Sequence, residues 1–179
     1  PQSLFTQSYS GFWLEIGFGQ GEHLYGRMKQ NPGIGYLGAE IFSNGVAGLL
    51  KAIDINPAHH IRFFQNDGMI LARSLKPDSL DGIYVLNPDP WHKKRHHKRR
   101  IIRQENLDVF ARILKPGGQL ILSTDVPYHA DWMITQTTLH PEFKWTAQSA
   151  SDWQIPPENW IHTRYEAKGA KSAKKMVYL

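Results

Sequence analysis

Asp89 stands between Pro88 and Pro90, directly before Trp91 and the run His92-Lys93-Lys94-Arg95-His96-His97-Lys98-Arg99-Arg100. Proline fixes φ and removes a backbone donor, so a carboxylate flanked by two prolines is held on a stiff turn. The cationic block behind it attracts polyanions. A rigid carboxylate beside an aromatic plate and a phosphate-attracting surface suits a site that grips a nucleobase on a nucleic acid. Trp91 can stack on an unpaired base or pack against a sheet edge. Lys93, Arg95, Lys98, Arg99 and Arg100 are expected to contact phosphates. His92, His96 and His97 have helical metal-ligand spacing, but six cations surround them and repel a metal ion, so no metal is expected.

A second group of residues suits a cofactor. In Leu14-Glu15-Ile16-Gly17-Phe18-Gly19-Gln20-Gly21 three glycines alternate directly after an apolar run. Glycine there permits positive φ and lets a ligand approach the backbone. The spacing is Gly-x-Gly-x-Gly, not the Gly-x-Gly-x-x-Gly of dinucleotide folds. Glu40 ends the next apolar run, where a carboxylate can accept both hydroxyls of a ribose. Asp67, in Gln65-Asn66-Asp67-Gly68, is placed to hydrogen-bond an adenine amino group. Asp125 follows Ser123-Thr124 and reads as a ligand contact or as a helix N-cap.

These residues need strand ends to position them, and the apolar pattern supplies a βαβ rhythm. Strands are expected at 12–17, 34–40, 60–65, 82–86 and 119–124, with two last strands at 143–147 and 175–179. Helices are expected at 20–29, 43–55, 99–114 and 128–139, and Lys115-Pro116-Gly117-Gly118 stops the third. Residues 149–174 read as a long polar functional loop. The expected fold is α/β, a doubly wound, mainly parallel seven-stranded sheet in a single domain over 1–179.

Composition sets the limits. The 179 residues suffice for one buried core. The absence of cysteine excludes disulfides, thiolate metal sites and cysteine nucleophiles. No apolar run approaches the roughly 18 residues of a membrane span, and a cytoplasmic location is expected. Net charge is +5, yet seven of the 21 Lys and Arg fall between Lys93 and Arg103. A second basic run comprises Arg164, Lys168, Lys171, Lys174 and Lys175. Each run alone reads equally as a solvated face; together they resemble a nucleic-acid footprint.

The glycine loop from Leu14 to Gly21, Glu40, Asp67 and the Pro88-Asp89-Pro90-Trp91 block with its basic tail resemble the bacterial tRNA (guanine-N7)-methyltransferase family. The likeness runs from about Phe12 to Leu179. It implies the class I, Rossmann-like methyltransferase fold and S-adenosylmethionine as cofactor. The implied reaction is methylation of guanine 46 in the tRNA variable loop, by a monomer or homodimer. It further implies cofactor contacts at Glu15, Glu40, Asp67 and Asp89, joining Gly17 and Gly19 of the loop. Substrate contacts are implied at Lys93, Asp125, Thr163, Arg164, Tyr165 and Glu166, with Asp89 also catalytic. Asn87 departs from the aromatic or aliphatic residue common before Pro-Asp-Pro-Trp.

The chemistry agrees independently. Guanine N7 carries a lone pair and no proton, so attack on a sulfonium methyl requires alignment rather than a strong base. Asp89 is therefore expected to orient the base and to favour the positive charge that develops on it.

Overall fold

Along β1 (Gly11–Ile16) the side chains alternate between two hydrophobic layers. Phe12, Leu14 and Ile16 enter one core, while Trp13 packs against the other. That two-residue period is what a strand covered on both faces requires. The computed structural model describes residues 1–55, 59–172 and 174–179. β2 (Ile34–Ala39), β3 (Ile61–Phe64), β4 (Leu80–Leu86), β5 (Leu114–Thr124) and β6 (Val177–Tyr178) complete one sheet in the order β3-β2-β1-β4-β5-β6. All neighbours are parallel except β5 and β6, which are antiparallel.

The helices cover both faces. α1 (Glu22–Gln30) and α2 (Ser43–Ile55) supply Leu24, Met28, Val46 and Leu49 to one core. α3 (Gly68–Ser74), α4 (Gln104–Ile113) and α5 (Pro127–Leu139) supply Met69, Ala72, Leu107, Phe110, Ile113 and Met133 to the other. The expected doubly wound α/β architecture is therefore present.

Three expectations need correction. Residues 143–147 form no strand, so the sheet has six strands rather than seven among the described residues. The edge strand that closes the sheet there, β6, is only two residues long and offers almost no ladder to extend. The stretch 149–174 is not a bare loop, because α6 (Ser151–Gln154) and α7 (Arg164–Lys171) form within it. Finally, of the helix expected over 99–114 only Gln104–Ile113 is helical, as α4; a 3-10 helix, η1 (Lys94–Arg99), and an irregular corner precede it. Arg100 is extended there (φ −60°, ψ 133°).

Candidate active site

The strand order reverses between β1 and β4, and in open α/β sheets the crevice beyond such strand ends takes ligands. Here it holds a cavity of about 460 Å³, lined among others by Glu15, Gly17, Gly19, Glu40, Asn87 and Tyr165. The glycine loop forms its wall for a backbone reason. Gly17, Gly19 and Gly21 have φ of 74°, 54° and 77°, a region that disfavours side chains. A Cβ at Gly17 or Gly19 would meet nothing within 4 Å, whereas one at Gly21 would lie 2.8 Å from Leu49. The first two thus face open space and the third is pressed against α2.

Glu40 fastens this loop. Its Oε2 accepts from the Gly19 amide at 2.8 Å and its Oε1 from the Phe42 amide at 2.9 Å. A carboxylate presents about four lone-pair sites, so each oxygen keeps capacity toward the cavity. Gly45 is packed beneath, where a Cβ would come within 2.4 Å of the Gly19 carbonyl oxygen. Glu15 is buried and its Oε2 accepts from His23 Nδ1 at 2.8 Å. The His23 ring is wedged between Tyr84 and Trp160 at centroid distances of 4.6 and 5.0 Å.

Beyond β4 the chain enters the proline turn, which is left-handed at both ends: φ is 48° at Asn87 and 44° at Trp91. Such angles are strained for a tryptophan and persist only where the surroundings over-determine them. The Asn87 amide donates to the Ser123 carbonyl at 2.9 Å. Arg100 fixes the other end, donating from Nε to the Pro90 carbonyl at 2.8 Å and from Nη2 to that of Trp91 at 3.4 Å. Its guanidinium lies 4.6 Å from the Trp132 ring centroid and 5.7 Å from that of Tyr128. Arg100 is only 3% exposed, and burial lowers its pKa from the usual arginine value. The expected phosphate contact at Arg100 is thus corrected to an internal clamp on the turn.

Asp89 itself is exposed and accepts no hydrogen bond among the described residues. Burial first, then the neighbouring Asp125, and to a lesser degree Asp89, raise the Tyr165 pKa. Asp125 is buried and does not cap α5; it accepts from Tyr165 Oη at 3.1 Å and pairs with Lys174 Nζ at 2.9 Å.

The segment leading into α7 forms a strap along the cavity. Thr163 caps α7, its Oγ1 accepting from the Glu166 amide. Arg164 pairs with Glu22 at 2.9 Å, and its amide donates to the same carboxylate at 2.8 Å. Thr163, Arg164 and Tyr165 line the cavity. Glu166 does not: it is buried, accepting from Trp160 Nε1 at 3.2 Å and His162 Nδ1 at 3.1 Å. Asp67 is also placed elsewhere. It caps α3 by accepting from the Met69 amide at 2.8 Å, and it lines a neighbouring cavity.

Of the basic run, Lys93, Arg95, Lys98 and Arg99 are exposed, and the Arg99 guanidinium sits 4.9 Å over the half-buried Trp91 ring. Among the described residues no group of three or more His, Cys, Asp or Glu is arranged to hold a metal. Residues missed in the sequence include Glu22, Phe42 and Asn44, which line the cavity. Glu22 carries no motif of its own, since its partner Arg164 is 142 residues away. Phe42 and Asn44 were findable as the residues that must follow Glu40 into α2.

A glycine loop after β1, a carboxylate following β2 and a crevice at the β1/β4 reversal define a ligand-binding protein of the doubly wound α/β class. Solved structures agree at the level of fold. The 16S rRNA methyltransferase KamB aligns with a TM-score of 0.63 at 17% identity, covering 96% of this chain and 87% of that one. An antibiotic-related methyltransferase aligns with a TM-score of 0.57 at 15% identity, covering 96% and 86%. Residues 10–179 match the family described as "Putative methyltransferase". A protein of Azorhizobium caulinodans named tRNA (guanine-N(7)-)-methyltransferase is 43% identical over 179 residues, 100% of this chain and 78% of that protein. One of the same name from Rhodospirillum rubrum is 41% identical, over 100% and 70%. The chain belongs to the tRNA (guanine-N(7)-)-methyltransferase family.

Proposed function

We propose that the chain transfers a methyl group from S-adenosylmethionine to N7 of guanine 46 in the variable loop of tRNA. The printed name of the relatives supports tRNA and N7 as target. A fold neighbour from Haemonchus contortus, phosphoethanolamine N-methyltransferase 2 (TM-score 0.52, 16% identity), is in complex with S-adenosyl-L-methionine and supports the cofactor. One observation carries the reading: Asn87, on the proline turn two residues before Asp89, lines the same cavity as the glycine loop, Glu40 and Tyr165. Cofactor cavity and nucleobase turn therefore adjoin.

The residues fit the cofactor. The open space above Gly17 and Gly19 admits a ligand to the backbone. The cavity volume falls in the range of small-molecule sites. Glu40 has lone pairs left for ribose hydroxyls, and Glu15 offers negative charge to the amino-acid ammonium group. Asp67, which caps α3 after β3 and lies outside this lining, keeps an adenine amino group as its proposed partner. When bound, S-adenosylmethionine supplies an electrophilic sulfonium methyl.

The protein's own residues then have a positioning task. Guanine N7 needs no deprotonation, so Asp89 acts by orienting the base and stabilising the cation that forms on it. Asp89, exposed on its turn, can accept from guanine N1–H and the 2-amino group, a pair of donors that adenine lacks, while Asp125 acts on the substrate side by holding Tyr165 of the strap. Thr163, Arg164 and Tyr165 close on the base, and Glu166 secures that strap from inside. Lys93, Arg95, Lys98 and Arg99 take RNA phosphates. The whole of 1–179 acts as one domain, as a monomer or homodimer, in the cytoplasm.

The test is to incubate the protein with unmodified tRNA and labelled S-adenosylmethionine, then digest the RNA to nucleosides. Label in 7-methylguanosine is the expected result, and label in any other nucleoside overturns the assignment.

A further inference from the structure

A second cavity, of about 260 Å³, opens between α3 and the corner joining η1 to α4. Its wall carries five cations, Arg73, Lys98, Arg99, Arg100 and Arg103, against one carboxylate, Asp67. That carboxylate already accepts from the Met69 amide. Arg73 of α3 is held by a neutral group, and Arg103, just before α4, by a carbonyl and the edge of an exposed carboxylate. Arg73 Nη2 donates to Oδ1 of the buried Asn106 at 3.2 Å, and Asn106 Nδ2 donates to the Ile101 carbonyl at 2.9 Å. Arg103 Nη1 donates to the Lys98 carbonyl at 2.8 Å, and its Nε lies 3.6 Å from the exposed Glu105. Among the described residues Arg73, Lys98 and Arg99 have no ion pair. A concave surface with this excess of charge repels itself and favours an anion. Guanidinium forks match phosphate oxygens in pairs.

We propose that this cavity is a phosphodiester subsite that seats one backbone phosphate of the RNA substrate, with Arg73 and Arg103 as ligands on either side. The inference rests on the RNA substrate proposed above. A polymer is favoured over a free anion because Lys98 and Arg99 of the cavity wall share one short basic run with the exposed Lys93 and Arg95, which lie outside the cavity. The subsite is also joined to the chemistry. Arg100 lines it and at the same time holds the Pro90 carbonyl, so a phosphate seated there fixes the RNA relative to the turn that carries Asp89. Phosphate contacts of this kind set register rather than read sequence.

The experiment compares wild type with Arg73→Gln and Arg73→Gln/Arg103→Gln, measuring tRNA binding from low to physiological salt and steady-state methylation. Arg73 is exposed but donates to the buried Asn106, so glutamine is chosen to keep a donor there, and the melting temperature of each variant is measured alongside. Each lost contact should lower the log–log salt slope by roughly 0.7–0.9. KM for tRNA should rise while kcat at saturation and S-adenosylmethionine affinity stay unchanged. An unchanged slope and KM in the double variant overturns the subsite. So does calorimetric binding of inorganic phosphate that Arg73→Gln abolishes while tRNA binding is untouched, since that marks a free-anion site. If wild type itself methylates no tRNA, the functional reading fails instead, a result separate from either of these.

Discussion

Arg100 Nε donates to the carbonyl oxygen of Pro90 at 2.8 Å, so the last arginine of the basic run holds the turn that carries Asp89. A residue that looks like a phosphate contact in the sequence is part of the scaffold. The bond explains how Trp91 is kept at φ 44° and why the expected helix over 99–114 breaks at Arg100. Replacing it with lysine keeps the charge but loses the planar fork and its stacking on Trp132. Arg100→Lys should cost about 2–3 kcal/mol in urea unfolding, from lost charged hydrogen bonds and cation–π contact. A phosphate contact would instead leave stability unchanged and lower the salt slope of tRNA binding.

Asp89→Asn should behave in the opposite way. The side chain is exposed and its turn is set by two prolines and Arg100, so the melting temperature should not move. Loss of an electrostatic group at a developing charge typically reduces kcat by about 10²–10³. Single-turnover methylation at saturating tRNA measures this, with tRNA affinity expected to remain within a few-fold of wild type.

Gly19→Ala separates cofactor binding from folding. The new methyl meets no protein atom, but it protrudes into the cavity at φ 54°. Backbone strain should cost on the order of 1 kcal/mol. Calorimetric titration with S-adenosylmethionine should show a loss of affinity of at least tenfold. A similar change at Gly117, which has φ 78° and lies outside this cavity, should carry the strain without the binding defect.

His129 predicts an acid limb in stability. It is fully buried on α5, neither ring nitrogen has a hydrogen-bond partner among the described residues, and its pKa is pushed down to about 4 by burial and then by Arg100. Below pH 6.5 the unfolded chain takes up a proton that the folded chain refuses. Stability contributed by the neutral ring is therefore present above pH 6.5 and lost as pH falls toward 4, at up to roughly 1.4 kcal/mol per pH unit. Urea unfolding across that window should show this slope in wild type and a shallower one in His129→Leu.

How much was legible follows from how local each signal is. The glycine loop, Glu40 and the proline turn are read within a few residues of themselves, and the parallel strands through their apolar runs. They emerged at the expected strand ends. The clamp at Arg100 was hidden because charge alone does not distinguish a guanidinium facing solvent from one stacked on Trp132, 32 positions on. Glu166 was hidden for a similar reason: a polar residue in a polar segment turned inward to Trp160 and His162. The missing strand at 143–147 reflects its partner, since a strand forms only where another edge is available to pair with it.

The account turns on one product. Unmodified tRNA methylated by the protein, then treated with borohydride and aniline, is cleaved where 7-methylguanine stands. A single cut at guanine 46 of the variable loop is the predicted result. Cuts at other guanines, or methylated tRNA that resists cleavage, would contradict it.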